Sequence, residues 1–150
     1  MKSRILIVGG PKSGKTSTAN ALAQLIYERA KGVPPPRVRH TDDLIGSGMK
    51  WSEESLLVST WFDDPGPWII EGIVTVRALK KWLARSPSHE KPADYIFYAE
   101  VARLPLEPKQ QALMKQCNDV WIEIRPALLD RNVAVRSIST AIAVARIGIE

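Results

Sequence analysis

RILIVGGPKSGKTS, residues 4–17, decides the fold. Ile5, Leu6, Ile7 and Val8 follow one another without a polar face, which predicts a strand buried on both sides. Three glycines, a proline and two lysines then turn the chain into a helix expected from about Gly14 to Lys31. Ala19, Leu22, Ala23, Ile26 and Ala30 recur along it at helical spacing and give it one apolar stripe. Between strand and helix, Gly9 to Thr16 match G-x-x-x-x-G-K-[ST] in the setting that pattern requires. The glycines let the backbone wrap tightly, so that amides from about Lys12 to Thr16 point at one anion beside the positive end of the helix. Lys15 then reaches the outer phosphates of a triphosphate as a point charge, and the Thr16 hydroxyl is suited to a bridging magnesium ion. The rival dinucleotide pattern G-x-G-x-x-G is not met, because the glycines fall at 9, 10 and 14.

Working outward, the apolar segments keep alternating between strand and helix character. GVPPP (32–36) ends the first helix, since proline removes backbone donors and disfavours helix before it. RVRHTDDL (37–44) reads as a second strand running into Asp42 and Asp43, followed by the loop IGSGMK. Ser52 is expected to cap the next helix, with Glu53 and Glu54 in its first turn and Leu56, Leu57 and Trp61 facing inward. WIIEGI (68–73) is a third strand, apolar up to Glu71. A helix over Thr75–Arg85 carries Leu79, Trp82 and Leu83 inward and Arg77, Lys81 and Arg85 on another side. ADYIFYAEV (93–101) is a fourth strand, KQQALMKQ (109–116) a short helix, DVWIEI (119–124) a fifth strand, and Leu128 to Glu150 a final helix.

This order predicts one α/β domain over residues 1–150, a three-layer sandwich with a five-stranded parallel sheet and helices on both faces. Ligands of such sheets bind at the carboxyl ends of the strands. The chemistry-bearing residues fall there: the glycine turn, Asp42 and Asp43, Glu71, and Glu100 and Arg103 after the fourth strand.

Bulk properties narrow the function classes. No apolar run approaches the roughly 20 residues that span a bilayer, and RILIV is too short for a secretory signal, so a cytoplasmic protein without a membrane partner is expected. Cys117 is the single cysteine, which excludes an internal disulfide and fits a small buried hydrophobe. The net charge is +5, with eight Lys or Arg against one Glu in residues 1–40 and seven Asp or Glu against one Lys in residues 41–75. Such segregation suggests a site where anions meet a cation or a hydroxyl donor. The basic balance permits nucleic-acid binding, but no motif for it is present.

The turn resembles the P-loop NTPase superfamily, and HTDDL after the second strand looks like the aspartate-bearing turn of small P-loop kinases such as gluconate, shikimate and polynucleotide kinases. The resemblance implies an ATP-binding phosphotransferase using magnesium. By it, Gly9, Gly10, Pro11, Lys12, Ser13, Gly14, Lys15, Thr16 and Ser17 hold the nucleotide, and Thr16 and Glu71 stand on the metal side. Asp42, Asp43, Glu71 and Arg77 face the acceptor, a hydroxyl or a phosphate, with Lys15, Asp42 and Arg77 as the catalytic set. Trp51, beside the glycine loop, is the one tryptophan placed to cover a substrate. The arginine-rich lid of nucleotide kinases is thin here, reduced to Arg103, Lys109 and Lys115. Two other readings are a GTPase-type switch, for which Asp63-Asp64-Pro65-Gly66 matches D-x-x-G, and a nucleotide-binding scaffold acting on a protein or nucleic-acid partner.

Overall fold

The computed structural model describes residues 3–148 except 31, 33 and 45. Lys31, Val33 and Ile45, expected in the first helix end and two loops, and Glu150 at the expected C-terminus, lie outside them. The chain runs β1 (Arg4–Gly9), α1 (Lys15–Arg29), β2 (Arg37–His40), α2 (Trp51–Trp61), β3 (Trp68–Glu71), α3 (Thr75–Arg85), β4 (Tyr95–Ala99), α4 (Pro108–Asp130), β5 (Ala134–Ser137) and α5 (Ala141–Gly148). All four strand pairings are parallel, in the order β2-β3-β1-β4-β5. The expected five-stranded parallel sheet is therefore present.

The apolar run of β1 puts it at the centre of the sheet. Ile5 and Ile7 point to one face, where α1 and α5 cover them through Ala19, Leu22, Ala141 and Ala145. Leu6 and Val8 point to the other, against residues of α2, α3 and α4 that include Val58, Leu79, Trp82, Trp121 and Leu128. Each side chain of β1 from Ile5 to Val8 loses essentially all contact with water. Burying four such side chains stabilises the fold by about 1.5–3 kcal/mol each, which anchors the strand that leads into the glycine turn. The chain leaves β1 towards β2 through α1 on one face, and the crossovers through α2, α3 and α4 return on the other, so the winding reverses at β1. A crevice forms at the strand ends where that reversal occurs.

Several expected elements are corrected. DVWIEI is not a strand: it lies inside α4, which absorbs the expected short helix and continues to Asp130. Met114, Cys117, Trp121, Ile124 and Leu128 are its buried residues, a spacing of three and four that belongs to a helix face, whereas Ile122 is exposed. The apparent strand arises from β-branched and aromatic residues falling together on a helix. The fifth strand is AVRS, within the stretch expected to be helical; only Ala141–Gly148 of that stretch forms the final helix.

The second strand ends at His40, and Asp42 and Asp43 stand in a single 3₁₀ turn over Thr41–Leu44. In α2, Ser52 is not the cap. The helix starts one residue earlier, with the Lys50 amide donating to Glu53 Oε1 at 3.1 Å. Leu56 and Leu57 turn outward, and the inward face is Ser55, Val58, Ser59 and Trp61. Two serines there let α2 and α3 approach closely, and each hydroxyl is satisfied by a carbonyl one turn back, Ser52 O at 3.1 Å and Leu56 O at 2.6 Å.

The helical register of α4 makes neighbouring residues unequal. Trp121→Ala is expected to cost about 3–5 kcal/mol in urea unfolding, and Ile122→Ala less than about 0.5 kcal/mol. Equal losses at both positions would contradict this register.

Candidate phosphate-binding and acceptor cleft

Gly14 caps α1 at φ +85°, a left-handed conformation that a side chain would strain. Lys12, two residues earlier, is also left-handed at φ +55°, a position where only the turn's own constraints hold a non-glycine residue. These two residues curl the loop around a point beside the start of α1. No side chain caps that helix and no acid stands in its first turn. Its leading amides therefore keep free donors and the positive end of the helix dipole in one place.

The loop is fixed from both sides. Lys12 O accepts from the Arg103 amide at 2.7 Å, and Lys12 Nζ reaches outward to Pro105 O at 3.3 Å. Ser13 Oγ donates to Gly10 O at 2.8 Å. Lys15 is buried and folds its ammonium back onto the loop, donating to Gly10 O at 2.5 Å and Ser13 Oγ at 3.1 Å. Burial holds its pKa below the usual lysine range, opposed by the negative charges of Glu71 and Asp42. A cation so placed is poorly solvated and gains from any anion that enters the loop.

The opposite wall is acidic. Glu71, at the end of β3, is 1% exposed, and its Oε2 accepts from Thr16 Oγ1 at 2.9 Å. Registers β1–β3 and β2–β3 place Glu71 level with Ile7 and His40, so it stands beside the mouth of the loop. The next residue, Gly72, turns at φ +139°, where a Cβ would overlap Thr41 Oγ1; only glycine lets β3 end this close to the turn after β2. Asp42 completes the wall. Asp42 is an exposed residue, but partial desolvation of its carboxyl raises it above the ordinary aspartate range and the Glu71 charge adds to this, with Lys15 and His40 acting in the other direction.

Together, residues 11–17, Asp42, Glu71 and Ile73 line one cleft of about 280 Å³. Of the sequence-predicted residues, Pro11 to Ser17, Asp42 and Glu71 are thus brought together, whereas Gly9 and Gly10 of the expected loop do not line the cleft. Asp42 and Asp43 are both exposed on the 3₁₀ turn, and Asp43 does not line the cleft. Arg77 does not either: its guanidinium donates to Gln116 Oε1 on α4 at 3.3 Å. Trp51 starts α2, half exposed and outside the lining. A second cavity of about 430 Å³ adjoins the loop through Ser13 and Thr18 and is bounded by residues 98–103 and Ser137–Ser139. Arg103 crosses the rim between the two, its side chain packed over Gly14.

One residue of the site carried no signal in the sequence. His40 Nδ1 lies 2.9 Å from Glu71 Oε2. A histidine closing a short strand is unremarkable until the β2–β3 register sets it beside a buried carboxylate.

The described residues hold no group of three or more His, Cys, Asp or Glu able to bind a metal alone. Thr16 and Glu71 nevertheless fit magnesium, which takes few protein ligands and relies on substrate phosphates and water. The D-x-x-G stretch stands elsewhere. Asp63 bonds Trp82 Nε1 at 2.9 Å and Arg85 at 3.0 Å, and Asp64 pairs with Arg39 at 3.3 Å, all before the start of β3 and at the opposite end of that strand from Glu71. No described helix is long and apolar enough to cross a membrane.

A scan of the chain against protein-family models matches none, and a search of curated proteins finds no sequence similar to it.

Proposed function

We propose that the chain is a P-loop kinase-like phosphotransferase that binds ATP with magnesium and moves the γ-phosphoryl group to a hydroxyl-bearing acceptor. The observation that carries this reading is the facing of a cationic, donor-rich loop by two carboxylates, Glu71 and Asp42, across one small cleft. A loop that only joined a strand to a helix would need its glycines, but neither a buried Lys15 nor a Thr16 hydroxyl bonded to a buried acid.

In this reading the amides of residues 12–16 hold the β- and γ-phosphates, and Lys15 exchanges Gly10 O and Ser13 Oγ for phosphate oxygens. Its charge offsets the charge on the equatorial oxygens during transfer. Thr16 would hold the metal, with Glu71 behind it; bound there, magnesium would neutralise phosphate charge. Asp42 orients the acceptor hydroxyl and takes its proton, a role suited to a carboxylate whose pKa is raised towards working pH. The base would lie in the larger cavity bounded by Ser137–Ser139, with Arg103 at its edge. Cytoplasmic residence is part of this reading.

Three outcomes test the proposal. Lys15→Ala should lower acceptor-dependent ATP consumption by about 10²–10³-fold with circular dichroism unchanged. Unaltered ATP affinity and turnover would exclude the role given to Lys15. Asp42→Asn should abolish stimulation by the acceptor, a loss of about 10²–10⁴-fold, while ATP still binds. The same variant has a signature in stability. Because the folded-state pKa of Asp42 is raised, the folded chain binds its proton more tightly than the unfolded chain does. Ionisation then costs stability as pH rises above the ordinary aspartate range. Asp42→Asn should therefore melt at a higher temperature than the parent at neutral pH, and the gain should vanish in acid; a lower melting temperature at neutral pH would contradict the assigned environment.

A further inference from the structure

Glu71 is buried, yet its two oxygens are treated differently. Oε2 has two polar partners at 2.9 Å each, the Thr16 hydroxyl from α1, which donates to it, and His40 Nδ1 from β2, whose role depends on the imidazole tautomer. Oε1 receives none from the described residues, and it is also absent from the enclosed, unpartnered polar atoms, which are Ser3 Oγ, Thr41 Oγ1 and Trp121 Nε1. Glu71 lines the cleft, and Oε1 is its oxygen without a donor among the described residues.

We infer that His40 is a positioning residue: it pins Oε2 of Glu71 so that Oε1 is presented to a magnesium-bound water of the nucleotide complex. The inference rests on the proposed ATP–magnesium site. An ionised carboxylate only accepts, so the imidazole in this contact carries its hydrogen on Nδ1 and donates it. Thr16 supplies a single donor to the carboxylate, and its hydroxyl would still have a lone pair for the metal. One donor leaves the carboxylate free to rotate about its terminal torsion, which is broad for such sp³–sp² bonds. A second donor from a different strand removes that freedom. His40 is suited to supply it because its backbone is paired with Glu71 in the β2–β3 register, which sets the separation before the side chains are placed. Partners of this outer kind typically change metal affinity by about 10–100-fold when removed.

Isothermal calorimetry with a non-hydrolysable ATP analogue tests this on the full chain, with the analogue titrated once in EDTA and once in excess magnesium. The parent should bind more tightly with magnesium. In His40→Ala that gain should shrink by about 10–100-fold, affinity in EDTA should be unchanged, and His40→Asn, whose amide nitrogen can stand near the position of Nδ1, should recover part of it. An unchanged magnesium gain in His40→Ala overturns the inference and leaves the nucleotide site standing. Equal losses with and without magnesium also overturn it, since they show that His40 merely supports the fold. A parent that binds the analogue in neither buffer removes the proposed site and this inference with it.

Discussion

Lys15 is a buried lysine, and the turn around it is built to tolerate that. Gly10 O and Ser13 Oγ accept hydrogen bonds from its ammonium, and Ser13 itself is tied to Gly10, so two residues of the loop close on one cation. The turn can be this tight only because both its ends are immobile. β1 enters it from the centre of the sheet, with neighbours on either side and no exposed face, and α1 leaves it packed through Ala19 and Leu22. Residues after β4 brace it from outside through the Arg103 amide. A buried cation and a ring of free amides cost stability unless an anion completes them, which is the usual mark of a site kept for a ligand.

The acidic wall depends on register more than on local sequence. Glu71, His40 and Ile7 share one level of the sheet because β1, β2 and β3 are parallel; β2 and β3 end there, and β1 runs two residues further into the turn. Gly72 then allows the turn carrying Thr41 and Asp42 to close against β3. Of the charges segregated along the chain, basic to residue 40 and acidic from 41 to 75, Lys12 and Lys15 meet Asp42 and Glu71 across the cleft. Asp42 and Lys15 are each shifted away from their ordinary ionisation by desolvation, in opposite senses. An acid with a raised pKa beside a base with a lowered one is a common arrangement where protons or phosphoryl groups move.

Much of this was legible in the residues. A fully apolar run followed by the glycine turn placed β1, the turn and α1, and the amphipathic stripe of residues 75–85 placed α3 at its observed bounds. What misled was the second half. Val120, Trp121, Ile122 and Ile124 look like a strand by composition, and only the three-and-four spacing of Cys117, Trp121, Ile124 and Leu128 shows a helix face. The true β5, AVRS, is short and half polar because it is an edge strand. Side-chain direction was harder still. Arg77 sits one turn into the expected helix, but its partner Gln116 comes from α4, a helix whose extent was not foreseen. His40 could be found only from the β2–β3 register.

Backbone amide NMR during a titration with ATP and magnesium tests the central claim most directly. The account predicts saturable downfield shifts at the amides of residues 12–16, where each donor gains a phosphate oxygen, with smaller changes at Asp42 and Glu71. A titration that leaves those amides in place, or that moves a different surface instead, would contradict it.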